Sequence, residues 1–147
     1  MKKFVFSLEK VLDFKQQTLN VKKSELASFQ QKLREMERQI EELNNRFVQS
    51  NRKMVEEMQT GLCANDIVVY KMYFDTLNRK IQKLLEDKKN LLKVIEQKKS
   101  DIVQMNSEIS GFEKLRDKQL EQYLKTVRKG EELAIEEFVS QARSAAY

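Results

Sequence analysis

Glu57-Met58-Gln59-Thr60-Gly61-Leu62-Cys63-Ala64-Asn65-Asp66, followed by Ile67-Val68-Val69-Tyr70, decides the fold. The chain has no proline and three glycines, and Gly61 is one of them. Glycine supplies the positive φ at which a helix ends. Asn65 or Asp66 then offers a side-chain oxygen to the free amides of a new helix. Long helical patterns run on both sides of this single stop and restart. The spacing therefore predicts an all-α chain, a long antiparallel two-helix coiled coil with an overhanging C-terminal helix. One coiled-coil domain is expected over 1–147, with helix one at about 4–59, a turn at about 60–65 and helix two at about 66–143, shifting phase after about 112.

Upstream of the turn, Phe4-Val5-Phe6-Ser7-Leu8 alternates apolar and polar residues briefly. A heptad then places Val5, Leu12, Leu19, Leu26, Leu33, Ile40, Phe47 and Met54 at a, all apolar. The d positions are Leu8, Lys15, Lys22, Phe29, Met36, Leu43, Ser50 and Glu57, half of them polar. An a position that never fails argues for a coiled coil whose seam is polar in places. At 1.5 Å per residue this arm is a helix of about 80 Å.

Downstream, Ile67, Phe74, Ile81, Ile95, Ile102 and Ile109 repeat the a signal, with Tyr70, Leu77, Leu84, Leu91, Met105 and Phe112 at d. Lys88 and Lys98 interrupt it. Beyond Phe112 the apolar positions become Leu120, Leu124, Val127, Ala134 and Phe138, one residue out of register, which redirects a supercoil. Folding the arms about residue 62 or 63 sets residue 4 beside about residue 121. The last two dozen residues are then left without an intrachain partner, though Ile135 and Phe138 give them an apolar face. Such a helix needs another protein or must fray.

Composition closes other routes. Charged residues make up 35% and aromatics 8%, with no tryptophan, so the chain buries a stripe and not a rounded interior. No run reaches the roughly 18 apolar residues of a membrane span, and the opening residues lack a secretory-signal pattern. The lone Cys63 fits a reducing compartment. Histidine is absent, removing the commonest general base and transition-metal ligand. No catalytic, cofactor-binding or metal-binding constellation stands out, and a non-enzymatic chain is expected.

Two surfaces invite partners. Residues 79–99 hold eight basic residues against three acidic, an excess of +5 that equals the net charge of the chain. Within it, Arg79, Lys80, Lys83, Lys88, Lys89 and Lys93 either face an acidic partner or form a solvated side. Nucleic acid is a minor alternative, since no binding module accompanies the basic pI. In Tyr70-Lys71-Met72-Tyr73-Phe74-Asp75-Thr76-Leu77 the seam takes Tyr70, Phe74 and Leu77. Met72 and Tyr73 are left outside, as at a docking surface. Self-association covering the same patch is the bland alternative, and with it a generic coiled-coil scaffold.

Three stretches together resemble the FliJ family of flagellar type III export proteins. They are Phe4-x-Phe6-x-Leu8-x-x-Val11-Leu12, then Gly61-Leu62-x-Ala64-x-x-Ile67-x-x-Tyr70-x-x-Tyr73-Phe74-x-x-Leu77, and Phe112-Glu113-Lys114-Leu115-Arg116-Asp117-Lys118-Gln119 followed by Glu136-Glu137-Phe138. The resemblance implies a non-enzymatic, cytoplasmic subunit of the export ATPase complex at the inner face of the membrane, similar to the central stalk of rotary ATPases. It implies three partners: the ATPase FliI as a hexamer, the cytoplasmic domain of the export gate FlhA, and export chaperones. Gate contacts would fall at the tip, on Tyr70, Tyr73, Phe74 and Leu77. Ring contacts would fall at the termini, on Phe4, Phe6, Leu8, Leu124, Val127, Ile135 and Phe138. Leu77 is also a seam residue in our register, so the two readings make different demands on it.

Overall fold

The computed structural model describes residues 2–146. It contains two helices, α1 (Glu9–Thr60) and α2 (Ala64–Ala146), with Gly61, Leu62 and Cys63 between them and no strand among the described residues. The all-α helical hairpin is the fold the heptads predict. Gly61 has φ +102°, the one positive φ among the described residues. A side chain at this position would be strained in any surroundings, because the left-handed region is closed to most L residues.

The second helix starts earlier than its capping residues suggested. The Cys63 carbonyl accepts from the amides of Asp66 at 3.1 Å and Ile67 at 3.3 Å, so Cys63 takes the N-cap place. Asn65 and Asp66 fall inside the first turn. The Asp66 carboxylate accepts from the Cys63 thiol at 3.1 Å, and its charge suits the positive end of the helix.

The first helix starts later than the heptad suggested, at Glu9 and not near residue 4. Phe4, Phe6 and Leu8 turn inward while Val5 and Ser7 stay exposed. Val5 is 80% accessible and Phe6 4%. This is the two-residue period of extended chain, the same brief alternation visible in the sequence. Val5 therefore has no place in the seam.

The chain divides into two compact units. The first joins the residues up to Asn20 with those from Val103 onward. Its core holds Phe6, Leu12, Leu19 and Ile109. Across it Lys15 bonds Glu108 at 2.9 Å, Arg116 approaches Glu9 at 3.5 Å, and Gln16 donates to Glu113 at 3.4 Å. Near the N-terminus the Phe4 and Tyr123 rings lie 5.7 Å apart, and the Tyr123 hydroxyl donates to the Lys2 carbonyl at 2.5 Å.

The second unit is Val21–Ile102. Leu77, Leu91, Ile95 and Ile102 are buried there, and Lys98 pairs with Glu25 at 2.8 Å and Lys88 with Glu37 at 3.5 Å. In both units the paired residues have midpoints between 61 and 64, so the antiparallel alignment follows the folding point read from the sequence.

Polar lapses in the seam have a common solution. Lys15, Lys88 and Lys98 are half-buried at core positions. Each lays its aliphatic stem along the seam and delivers its ammonium to a carboxylate of the other helix. Hydrogen bonding to Glu25 raises the pKa of Lys98. Past Ile109, the half-buried Phe112, Arg116, Gln119 and Tyr123 keep the earlier spacing, while Leu120 and Leu124 are exposed and Val127 is the one half-buried member of the shifted stripe. Here the apolar stripe and the packed face separate.

Candidate functional site

The tip is built by the C-terminal turns of α1 and the first turns of α2. Phe74 is its hub: its ring lies 5.0 Å from Phe47, 6.1 Å from Tyr70 and 6.2 Å from Tyr73, centre to centre. Aromatic pairs at these separations add to plain burial. The Tyr70 hydroxyl donates to the Glu57 carboxylate at 2.6 Å. That bond, reinforced by desolvation and the charges of Glu57 and Asp66, pushes the Tyr70 phenol up to about 12. Glu57, a polar d residue, is thus the tip's cross-helix lock.

Of the four residues expected to meet a partner here, Leu77 is 2% accessible and lies in the seam. Tyr70 and Phe74 are half-buried. Tyr73 is 40% accessible and presents its ring outward. Met72 is exposed as its position predicts, and Met58, Ile67, Val68 and Val69 at the same end of the hairpin are exposed as well. Composition could not point to these last four, because the same valines would fill a core in a globular chain.

At the termini, Phe6 is buried, Phe4, Leu8 and Val127 are half-buried, and Leu124, Ile135 and Phe138 are exposed. From Arg128 to Ala146 every residue of α2 is exposed, and the helix runs through Gly130 unbroken. Phe138 is 72% accessible. Val127 is the last residue with packing of its own, a few residues beyond the limit set by the folding arithmetic. The aromatic clamp of Phe4 and Tyr123 accounts for the difference, and the sequence hid it because Tyr123 lies off the apolar stripe.

The basic set does not form one surface. Lys88 is committed to Glu37 in the seam, while Arg79, Lys80, Lys83, Lys89 and Lys93 are exposed. Lys80 and Lys83 line a cleft between the helices, together with Arg46. Among the described residues no group of side chains could hold a metal ion, and no helix is long and apolar enough to cross a membrane.

Two long helices packed antiparallel define a class of protein, the two-helix coiled coil. Residues 4–146 match the family model described as Flagellar FliJ protein, and the chain belongs to that family. Comparison with curated proteins and with solved structures returns no significant match. Family membership makes the chain a component of the flagellar export apparatus.

Proposed function

We propose that the chain acts as the stalk of the flagellar export ATPase, joining the FliI hexamer to the cytoplasmic domain of FlhA and escorting export chaperones. Residues 128–146 and the N-terminal clamp of Phe4, Phe6 and Leu8 engage the ATPase ring, and the Tyr73 tip engages the gate. The complex sits in the cytoplasm against the inner face of the membrane at the flagellar base. The chain itself catalyses nothing and needs no cofactor.

One observation carries this reading: α2 continues for nineteen residues beyond its last packed position with Leu133, Ile135, Phe138 and Val139 uncovered. Helices are held mainly by packing of an apolar face, so this segment is completed by a partner. Exposed apolar side chains of this kind mark protein contact sites. The test is co-purification of the chain with the ATPase and, separately, with the gate's cytoplasmic domain. Capture of both supports the stalk. Capture of neither, together with self-association, would replace it with a coiled-coil scaffold.

A further inference from the structure

The tip contact leaves the basic excess of residues 79–99 without a role. Part of that excess is spent inside the fold, since Lys88 and Lys98 neutralise Glu37 and Glu25 across the seam. Lys80 and Lys83 have no ion-pair partner among the described residues. They line a cleft of about 420 Å³ between α1 and α2, whose lining includes the half-buried Leu43 and Leu84. Arg46 enters it from α1.

The Arg46 guanidinium donates to Glu42 at 2.8 Å, while Arg38, which reaches Glu42 at 3.3 Å, is held by Glu35 at 2.7 Å. Asp87 is the other acid lining the cleft, so its cations outnumber its carboxylates.

This cleft continues the tip surface. Lys80 follows Tyr73 on α2 by one heptad, and Arg46 precedes Lys53 on α1 by one heptad. Tyr73 and Lys53 line the neighbouring cleft of about 390 Å³ together with Val69. A heptad is about 10.5 Å of helix, so the cleft of Val69 and Tyr73, which also carries Lys53, Glu57 and Asp66, and the cleft of Arg46, Lys80 and Lys83 follow one another along one flank at the spacing of two helical turns. A purely acidic occupant would leave Tyr73 and Val69 wet, and a purely apolar one would strand Lys80 and Lys83.

We infer that Arg46, Lys80 and Lys83 form the second half of the tip docking surface and receive an acidic segment of the partner whose neighbouring apolar side chains cover Val69 and Tyr73. This rests on the tip being the gate contact. Charges at such a rim act chiefly through association rate and salt dependence.

The experiment measures binding of the gate's cytoplasmic domain at low and high salt to four chains: wild type, Tyr73→Ala, Lys80→Glu with Lys83→Glu, and Lys89→Glu with Lys93→Glu. The last pair changes net charge equally but lies outside the cleft. Helicity and melting are checked for each. The expected result is a loss of about tenfold at low salt for the Lys80/Lys83 pair, shrinking as salt screens it. The Lys89/Lys93 pair stays within about twofold of wild type.

Equal losses for the two lysine pairs would mean a general field effect and overturn the cleft. Wild-type binding by the Lys80/Lys83 variant beside a weak Tyr73→Ala would also overturn it and leave the tip contact standing. Wild-type binding by both of these variants would remove the tip contact as well.

Discussion

Leu77→Ala and Tyr73→Ala, four residues apart on α2, separate a seam residue from a contact residue. Leu77 is 2% accessible, so truncation deletes fully buried methyl groups. Buried Leu→Ala changes cost about 2–5 kcal/mol. A seam only two helices thick lets water and neighbours enter the gap, which points to the lower half, about 2–3 kcal/mol. For a chain near this length each kcal/mol lowers the melting temperature by about 2–4 °C, giving a fall of roughly 4–12 °C. Tyr73 is 40% accessible and touches Phe74 by its ring edge. Its removal costs about 1 kcal/mol or less. Urea and thermal unfolding followed by circular dichroism give both values. Affinity for the gate's cytoplasmic domain is then measured at a temperature where both variants are folded. Tyr73→Ala should bind weakly with near-normal melting. Leu77→Ala should melt low and, once folded, bind better than Tyr73→Ala. If Leu77→Ala melted like wild type and lost more binding than Tyr73→Ala, Leu77 would be a contact and the register would be wrong.

Tyr70 should titrate well above the ordinary tyrosine value in a tyrosinate absorbance scan. Its folded pKa of about 12 lies above the ordinary 10.0, so its contribution to stability is complete below pH 10 and is lost as pH rises toward 12. Tyr70→Phe should abolish that alkaline loss, and an unchanged pH profile would show that the Glu57 bond contributes nothing. Cysteines at Leu33 and Leu91, in a Cys63→Ser background, should cross-link within one chain at low protein concentration, whereas purely intermolecular links would mean extended helices in a dimer. Tyr123→Phe removes the hydroxyl that donates to the Lys2 carbonyl. It should cost about 0.5–1.5 kcal/mol and speed amide exchange in residues 2–8, and unchanged exchange there would show that the clamp is held by the rings alone.

The seam was legible over most of its length, although Phe47 and Ile67, both at a in the heptad, are 39% and 46% accessible where the arms near the turn. A heptad needs only the order of apolar residues, and Leu12, Leu19, Leu77, Leu91, Ile95, Ile102 and Ile109 are buried where it put them. Even the polar lapses at Lys15 and Lys88 occupy core positions. What the pattern could not carry was the compensation, because a carboxylate such as Glu37 or Glu108 looks like any surface acid until the other helix is laid beside it. At the N-terminus two periods competed over Phe4–Leu8, and the heptad was extended through Val5 when the period of two prevailed. Past Phe112 the apolar stripe moves to Leu120, Leu124 and Val127, whereas packing keeps to Arg116, Gln119 and Tyr123 and meets that stripe only at Val127. Long side chains can cover a seam without being apolar. Arg46 went unnoticed for the related reason that its role depends on Lys80 and Lys83 from the facing helix. The grouping of basic residues by proximity in sequence mixed seam, cleft and outer faces of one helix.

The central claim is that residues 128–146 complete the ATPase, and ATP hydrolysis measures it most directly. The ATPase is assayed alone, with the full chain, and with a chain ended after Arg128, a cut that spares Tyr123, Val127 and every packed residue of α2. The shortened chain should match the full one in melting temperature and fail to stimulate hydrolysis. Full stimulation by the shortened, folded chain would contradict the account and place ring contact elsewhere in the molecule.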